Sequence, residues 1–429
     1  MKFYKLIPIV LVVFLASCKD TLTSDLQNRT VAEGHYDSQQ KIEQAVIGGY
    51  VDLRRALMAN YAWLMYGEAR TGDLNVAVEY QQAVVTQKLT IGDHYVTQLT
   101  DWGYFYDVIR DANDLQDIVD QASPGVLKPY YRNLYKGEAL ALKSMAYFYL
   151  ARIWSDVPSA EKSNMGTRLS SQETVKMAAA WALQAQGLLP WVLNNNDGIQ
   201  SLDITRIRFN KTAITSLLAQ EDLWLGSSQS AYDVLNKTFT ASTADSLSDF
   251  GLSAGVDART VIPQNPLDLN VVTMPLAKFN EIYPGKDTRR SSMFNISADN
   301  VVTFVADGTG TLQLLPVREI NLLFAEAAWR SGHLDDGKTY LIKASAGAVE
   351  DYSTLVEATF ADALLMERRR MLMGTGRRVF DLIRFGKVTT YIPAFTDADV
   401  QKGAAYWPLS ANSIQGNSLS QNSYWLSKN

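Results

Sequence analysis

Two stretches decide the fold: LLAQEDLWLGSSQSAYDVLN, residues 217–236, and LFAEAAWRSGHLDDGKTYLI, residues 323–342. Laid one on the other without a gap, each has an alanine (Ala219, Ala325) seven residues before a glycine (Gly226, Gly332). Five residues on stands a second small residue (Ala231, Gly337), and four beyond it a leucine (Leu235, Leu341). Small residues let two helices approach closely, and a glycine between them supplies the left-handed cap that ends the first. The pattern predicts a helical hairpin of tetratricopeptide type, whose stacked pairs share one continuous core. Two copies about a hundred residues apart predict an irregular array with a large insertion.

Apolar periodicity extends the helical reading outward. Ile42, Ala45, Val46, Gly49, Leu53 and Leu57 recur at helical spacing, as do Trp102, Phe105, Tyr106, Ile109 and Leu115. A third helix is predicted from about Tyr131 to Trp154, stopping before Pro158, and a fourth from about Gln172 to Leu193, where Gly187 and Pro190 disturb the last turn. Residues 239–315 collect glycines, prolines and the turn DGTGT (307–311), interrupted by β-prone runs such as VVTM and VVTFV. They predict loops with a few short strands, and 67–100 has the same irregular character. The chain is therefore read as mainly α: an irregular tetratricopeptide-like array of helical hairpins with a loop-rich insertion carrying a few short strands.

The N-terminus, MKFYKLIPIVLVVFLASCKD, places Lys2 and Lys5 before an apolar run of eleven residues. Eleven are too few to span a bilayer, so the run reads as a signal-peptide core. Cys18 follows Leu-Ala-Ser and is the only cysteine, so no internal disulfide or multi-cysteine metal site is available. Small residues before a solitary cysteine resemble a bacterial lipobox, in which the thiol is lipidated and becomes the first residue. The expected organisation is a signal peptide 1–17, a lipidated tether 18–40 and one helical domain 41–429. Cleavage would take the net charge from −5 to −7, since two lysines and no acid are lost. An acidic body outside the cytoplasm excludes a nucleic-acid partner.

Catalytic chemistry finds no support. His35, His94 and His333 share no ligand spacing, and no zinc-hydrolase or serine-elbow motif occurs, so neither cofactor nor metal is expected. Aromatics in the irregular stretches remain: Tyr80, Tyr95, Phe279, Tyr283 and Phe294 are the candidates for a solvent-facing platform. A sugar presents an apolar C–H face that stacks on such a plane.

One basic cluster needs separate treatment: ERRRMLMGTGRRVFDLIRFGK, residues 367–387. It could be a polyanion site or a helix end whose arginines are used internally. Asp381 stands three residues after Arg378 and three before Arg384, within reach on one short helix. Paired arginine and carboxylate suit partly buried contacts, so Arg378, Asp381 and Arg384 are expected to form a structural clasp locking the last helices to the array.

Together these segments resemble one family, the SusD/RagB nutrient-uptake lipoproteins of the bacterial outer membrane. The lipobox is one mark. KIEQAVIGGYVDL (41–53) is similar to the family's first helix, DWGYFYDVIRDAN (101–113) to its Trp-x3-Tyr-x2-Ile-x3-Asn signature, and KGEALALKSMAYFYLARIWSDVP (136–158) to its alanine-rich helix and Asp-Val-Pro turn. VREINLLFAEAAWRSG (317–332), the 367–387 block and AAYWPLSANSIQGNSLSQN (404–422) resemble the later motifs in the same order. YLIKASAGAV departs from the family by lacking two arginines, and Trp-Pro-Leu replaces Pro-Ile-Pro. The resemblance implies a non-catalytic, lipid-anchored protein at the cell exterior that captures oligosaccharide, or peptide in some members. Such a protein passes its ligand to a partner TonB-dependent transporter of the outer membrane. The alternatives are a peptide-binding member or a helical scaffold without its own ligand.

Overall fold

The computed structural model describes residues 36–428, apart from 77–80, 91–98, 162–163, 241, 243–245, 254–271, 306–310, 346–349 and 415–418. The expected signal peptide, Cys18 and most of the expected tether lie outside the described residues, as does most of the DGTGT turn. The first helix begins at Gln39, two residues before the expected domain start.

The helical array comprises α1 (Gln39–Met58), α2 (Ala62–Gly67), α3 (Gly103–Gln121), α4 (Pro129–Trp154), α5 (Ser171–Leu188), α6 (Lys211–Trp224), α7 (Ser228–Phe239), α8 (Ile320–Arg330), α9 (Leu334–Ser345), α10 (Glu357–Met371) and α11 (Arg378–Arg384). The order of packing follows the order of the chain. Helix α1 lies on α3, α3 on α4, α4 on α5, α5 on α6, α6 on α7, α7 on α8, α8 on α9 and α9 on α10. Helix α7 therefore meets α8 although the insertion separates them in sequence, which keeps the array continuous.

Both repeat stretches are the expected hairpins. Gly226 and Gly332 cap α6 and α8 at φ +74° and +84°, and Ala219, Ala231 and Leu235 are buried with Leu323, Phe324 and Ala327 between the two pairs. Helix α4 is sheathed on nearly every side, from Leu134 through Trp154. Its alanines at 139, 141, 146 and 151 admit neighbours at short range. Helix α5 starts on a capping box, in which Ser170 and Glu173 satisfy each other's backbone N–H groups. It ends at Leu188, because Pro190 denies the last predicted turn its amide.

Among the described residues eight short strands accompany the helices: β1 (Asn75–Val76), β2 (Val157–Glu161), β3 (Asn164–Leu169), β4 (Phe250–Ser253), β5 (Val272–Met274), β6 (Phe294–Ile296), β7 (Val302–Phe304) and β8 (Thr311–Leu315). The predicted runs VVTM and VVTFV become β5 and β7. The hairpin β2–β3 is an addition, made where Ser155 adopts φ +69° and turns the chain out of α4. Strands β4 and β8 pair with each other. The remaining four form one antiparallel sheet in the order β1-β5-β7-β6, joining the stretch after α2 to the insertion. Its pairs are Asn75 with Thr273, Thr273 with Thr303, and Asn295 with Thr303.

Candidate functional site

Helix α10 holds the four-stranded sheet and its loops against the array. Successive residues of an α-helix point about 100° apart, so Arg368, Arg369 and Arg370 fan over about 200° of its circumference. All three are buried, and each finds a different part of the molecule. Arg368 donates from Nε to Asp381 and from Nη2 to Glu319, both at 2.9 Å, reaching the α8 and α11 side. Arg369 forks onto Asp73, beside β1, with Nε 2.8 Å from Oδ2, and reaches Glu281 at 3.2 Å. Arg370 donates to the Ile282 carbonyl and to Glu350, both at 2.7 Å. Glu367, one residue earlier, accepts Arg289 from the insertion and Tyr352 Oη–H at 2.9 Å. A basic cluster that could have served a polyanion is thus turned inward on carboxylates, where Arg forks lose little hydration.

The expected clasp residues divide. Arg384 forks onto Glu326 at 2.8 Å on both oxygens and donates to Asp381, also at 2.8 Å. Arg378 stands apart: it donates to the Leu365 carbonyl at 3.2 Å and lies 4.4 Å from the centre of the Tyr391 ring. The acids that complete the network, Glu319, Glu326 and Glu367, are fully buried and escaped the sequence reading. One signal was available: Glu326 sits inside the apolar run LLFAEAAW, where an acid without a partner would be costly.

Beside this network the turn Gly374–Gly376 is pressed onto α2. Both carboxylate oxygens of Glu68 accept from it, Gly374 N–H and Gly376 N–H at 2.9 Å each, while Trp63 Nε1–H donates to the Gly374 carbonyl at 3.1 Å. Just before α2, Asn60 and Tyr61 are both left-handed (φ 53° and 56°), a conformation non-glycine residues rarely adopt twice in succession. Gln81 is fully buried there, donating to the Asn60 carbonyl at 2.7 Å.

Three of the five expected platform aromatics do not stand in solvent. Phe279 and Tyr283 are completely buried and Phe294 nearly so, with ring centres 4.9–5.6 Å apart. Strand alternation turns Phe294 to the inner face of β6, opposite Phe304, and Tyr283 Oη–H donates to the Arg370 carbonyl at 2.9 Å. These three rings are the core beneath the sheet. Irregular sequence around them concealed that they join the main hydrophobic core of the array. Tyr80 and Tyr95 lie outside the described residues.

Burial also sets the protonation of carboxyls behind this face. Glu221, on α6, accepts Ser144 Oγ–H at 2.6 Å through Oε1, while its Oε2 is buried without a partner. Desolvation raises its pKa to about 8. Burial likewise raises Glu68 to about 7, against the pull of the two turn amides. Such acids hold an extra proton only in the folded state, so between about pH 4.5 and pH 8 stability falls as pH rises. Burial alone would raise Asp381 too, but Arg368 and Arg384 hold it low, so its contribution is lost only in stronger acid. The melting temperature is expected to be lower at about pH 8 than at about pH 5.5, and Glu221→Gln should flatten the profile by raising the alkaline value. Identical pH profiles for wild type and Glu221→Gln in calorimetry would overturn this assignment.

Among the described residues no three His, Cys, Asp or Glu side chains are grouped to hold a metal ion. The arrangement is suited to presenting loops rigidly.

A family model described as starch-binding associating with outer membrane, SusD-like, matches residues 21–223. A SusD-like protein of Formosa agariphila is 25% identical over 249 residues, covering 55% of this chain and 46% of that protein. A SusD-like protein of Bacteroides ovatus is 26% identical over 151 residues, covering 33% of this chain and 26% of its own length. The chain thus spans less than half the length of the curated relatives it matches. The crystal structure of a SusD superfamily protein from Bacteroides thetaiotaomicron VPI-5482 superposes with a TM-score of 0.74 at 21% identity, over 91% of this chain and 99% of that one. At that identity the likeness speaks for the fold.

Proposed function

Because this chain belongs to the SusD/RagB family, we propose that it binds an oligosaccharide at the outer membrane and delivers it to a partner TonB-dependent transporter, without catalysing a reaction. The observation that carries this reading is the α10 fan. Three buried arginines fix a loop-bearing sheet on a rigid helical scaffold, and binding groups held in place lose less entropy on capture. The family description, starch-binding, supports a glycan as ligand. No helix among the described residues is long and apolar enough to cross a membrane. Attachment is assigned in this reading to acyl chains on Cys18, with the body facing the cell exterior.

Two measurements test the proposal. Calorimetric titration of the pure protein with neutral oligosaccharides, maltohexaose among them, is expected to give saturable binding and no hydrolysis products. Cells fed an alkynyl palmitate should label the wild-type chain and not Cys18→Ser. Silence across the glycan series, or measurable turnover, would sink the binding reading; equal labelling of both chains would sink the anchor.

A further inference from the structure

Resting on that reading, we propose that Asn75, Thr273, Thr303 and Asn295 form a subsite for one stretch of an uncharged oligosaccharide. The register puts these four in a single row across the sheet, one from each of β1, β5, β7 and β6. Neighbouring strands lie about 4.8 Å apart, so the row runs about 14 Å, the scale of a short run of sugar rings. Alternation fixes which way the row faces. Of the neighbours along the strands, Val76, Val272, Met274, Val302 and Phe294 are buried beneath the sheet and Phe304 is half-buried, while Ile296, at the end of the edge strand β6, is exposed. The four of the row point outward, with both asparagines exposed and both threonines half-exposed.

Three further observations give the row its chemistry. First, no side chain of the four has a hydrogen-bond partner within the protein among the described residues. Their amides and hydroxyls offer donors and acceptors side by side, as a sugar hydroxyl requires. Second, the row carries no charge, so an anionic or cationic ligand finds no counter-ion in it. Third, Val301 and Val305 flank Thr303 on the same face, 44% and 38% exposed, and with the threonine methyls they give apolar contact for pyranose C–H groups. Asparagine is disfavoured in strands, yet it occupies two of the four positions, which is hard to explain by sheet stability. The row lies on the sheet's face and not along its edge. A peptide pairing by its backbone would therefore leave these side chains unused.

The test replaces Thr273 and Thr303 together by valine, which keeps the β-branched shape and removes both hydroxyls. Against maltohexaose and the other neutral oligosaccharides, the double variant should bind about tenfold or more weakly, with an unchanged thermal melt. Asn75→Ala with Asn295→Ala, at exposed positions, repeats the test should the valine pair fail to fold. Wild-type binding that neither pair of substitutions weakens would overturn the subsite while leaving the glycan-binding function intact. Wild-type protein that binds none of the oligosaccharides would overturn both. Binding of a neutral unstructured peptide that the valine pair abolishes, with no glycan bound, would overturn the choice of occupant.

Discussion

Asp381→Ala is expected to destabilise the protein by about 3–5 kcal/mol, read from denaturant unfolding, and to leave ligand affinity nearly unchanged. Asp381 is almost fully buried and accepts from Arg368 and Arg384 together, so its removal leaves Arg368 only Glu319 and Arg384 only Glu326 as carboxylate partners in a low-dielectric interior. Neither can turn to water: Arg368 is 1% exposed, and one of its terminal nitrogens already lacks a partner. Exposed ion pairs such as Lys41 with Asp37 give the contrast, since Asp37→Ala should leave the unfolding midpoint nearly unchanged. A loss of affinity at unchanged stability would assign Asp381 to ligand contact and overturn the structural role.

Gly67→Ala should be more severe still. A Cβ at this position would stand 1.7 Å from the carbonyl oxygen of Gly376 and 2.4 Å from its carbon. The obstacle is backbone, so no side-chain rotation relieves it. The turn would have to retreat, breaking both Glu68 acceptances and the Trp63 contact at once. A loss of about 5 kcal/mol or more, or no folded protein, is the expected result. Gly48→Ala, in α1 with nothing within 4 Å, is the control and should be neutral or slightly stabilising. Comparable melting temperatures for the two variants would show that the α2–turn contact is looser than described.

Local periodicity carried most of the fold into view. The hairpin repeats, the left-handed glycines at 226 and 332, and the strands hidden in VVTM and VVTFV all depend on residues close in sequence. What stayed hidden depends on pairing over distance. Arg369 and Asp73 lie 296 residues apart, and nothing in either neighbourhood announces the other. Three of the platform aromatics proved to be core for a related reason. Phe279, Tyr283 and Phe294 sit among loop-forming residues, but whether a ring faces water depends on a sheet whose strands come from three separate segments. The outward row could not be read in advance either, because a two- or three-residue strand fixes its facing only through its partners' register.

That sheet bears on the order of events as the chain folds. The array can grow by adding each helix to the one just made, a sequence of short loop closures. Strand β1 has no such neighbour: its partner β5 emerges only after the five array helices α3 to α7 have passed, and Arg369 fastens Asp73 later still. The segment after α2 must therefore wait, unpaired, for most of the chain, and the four-stranded sheet is the last part of the molecule to become complete.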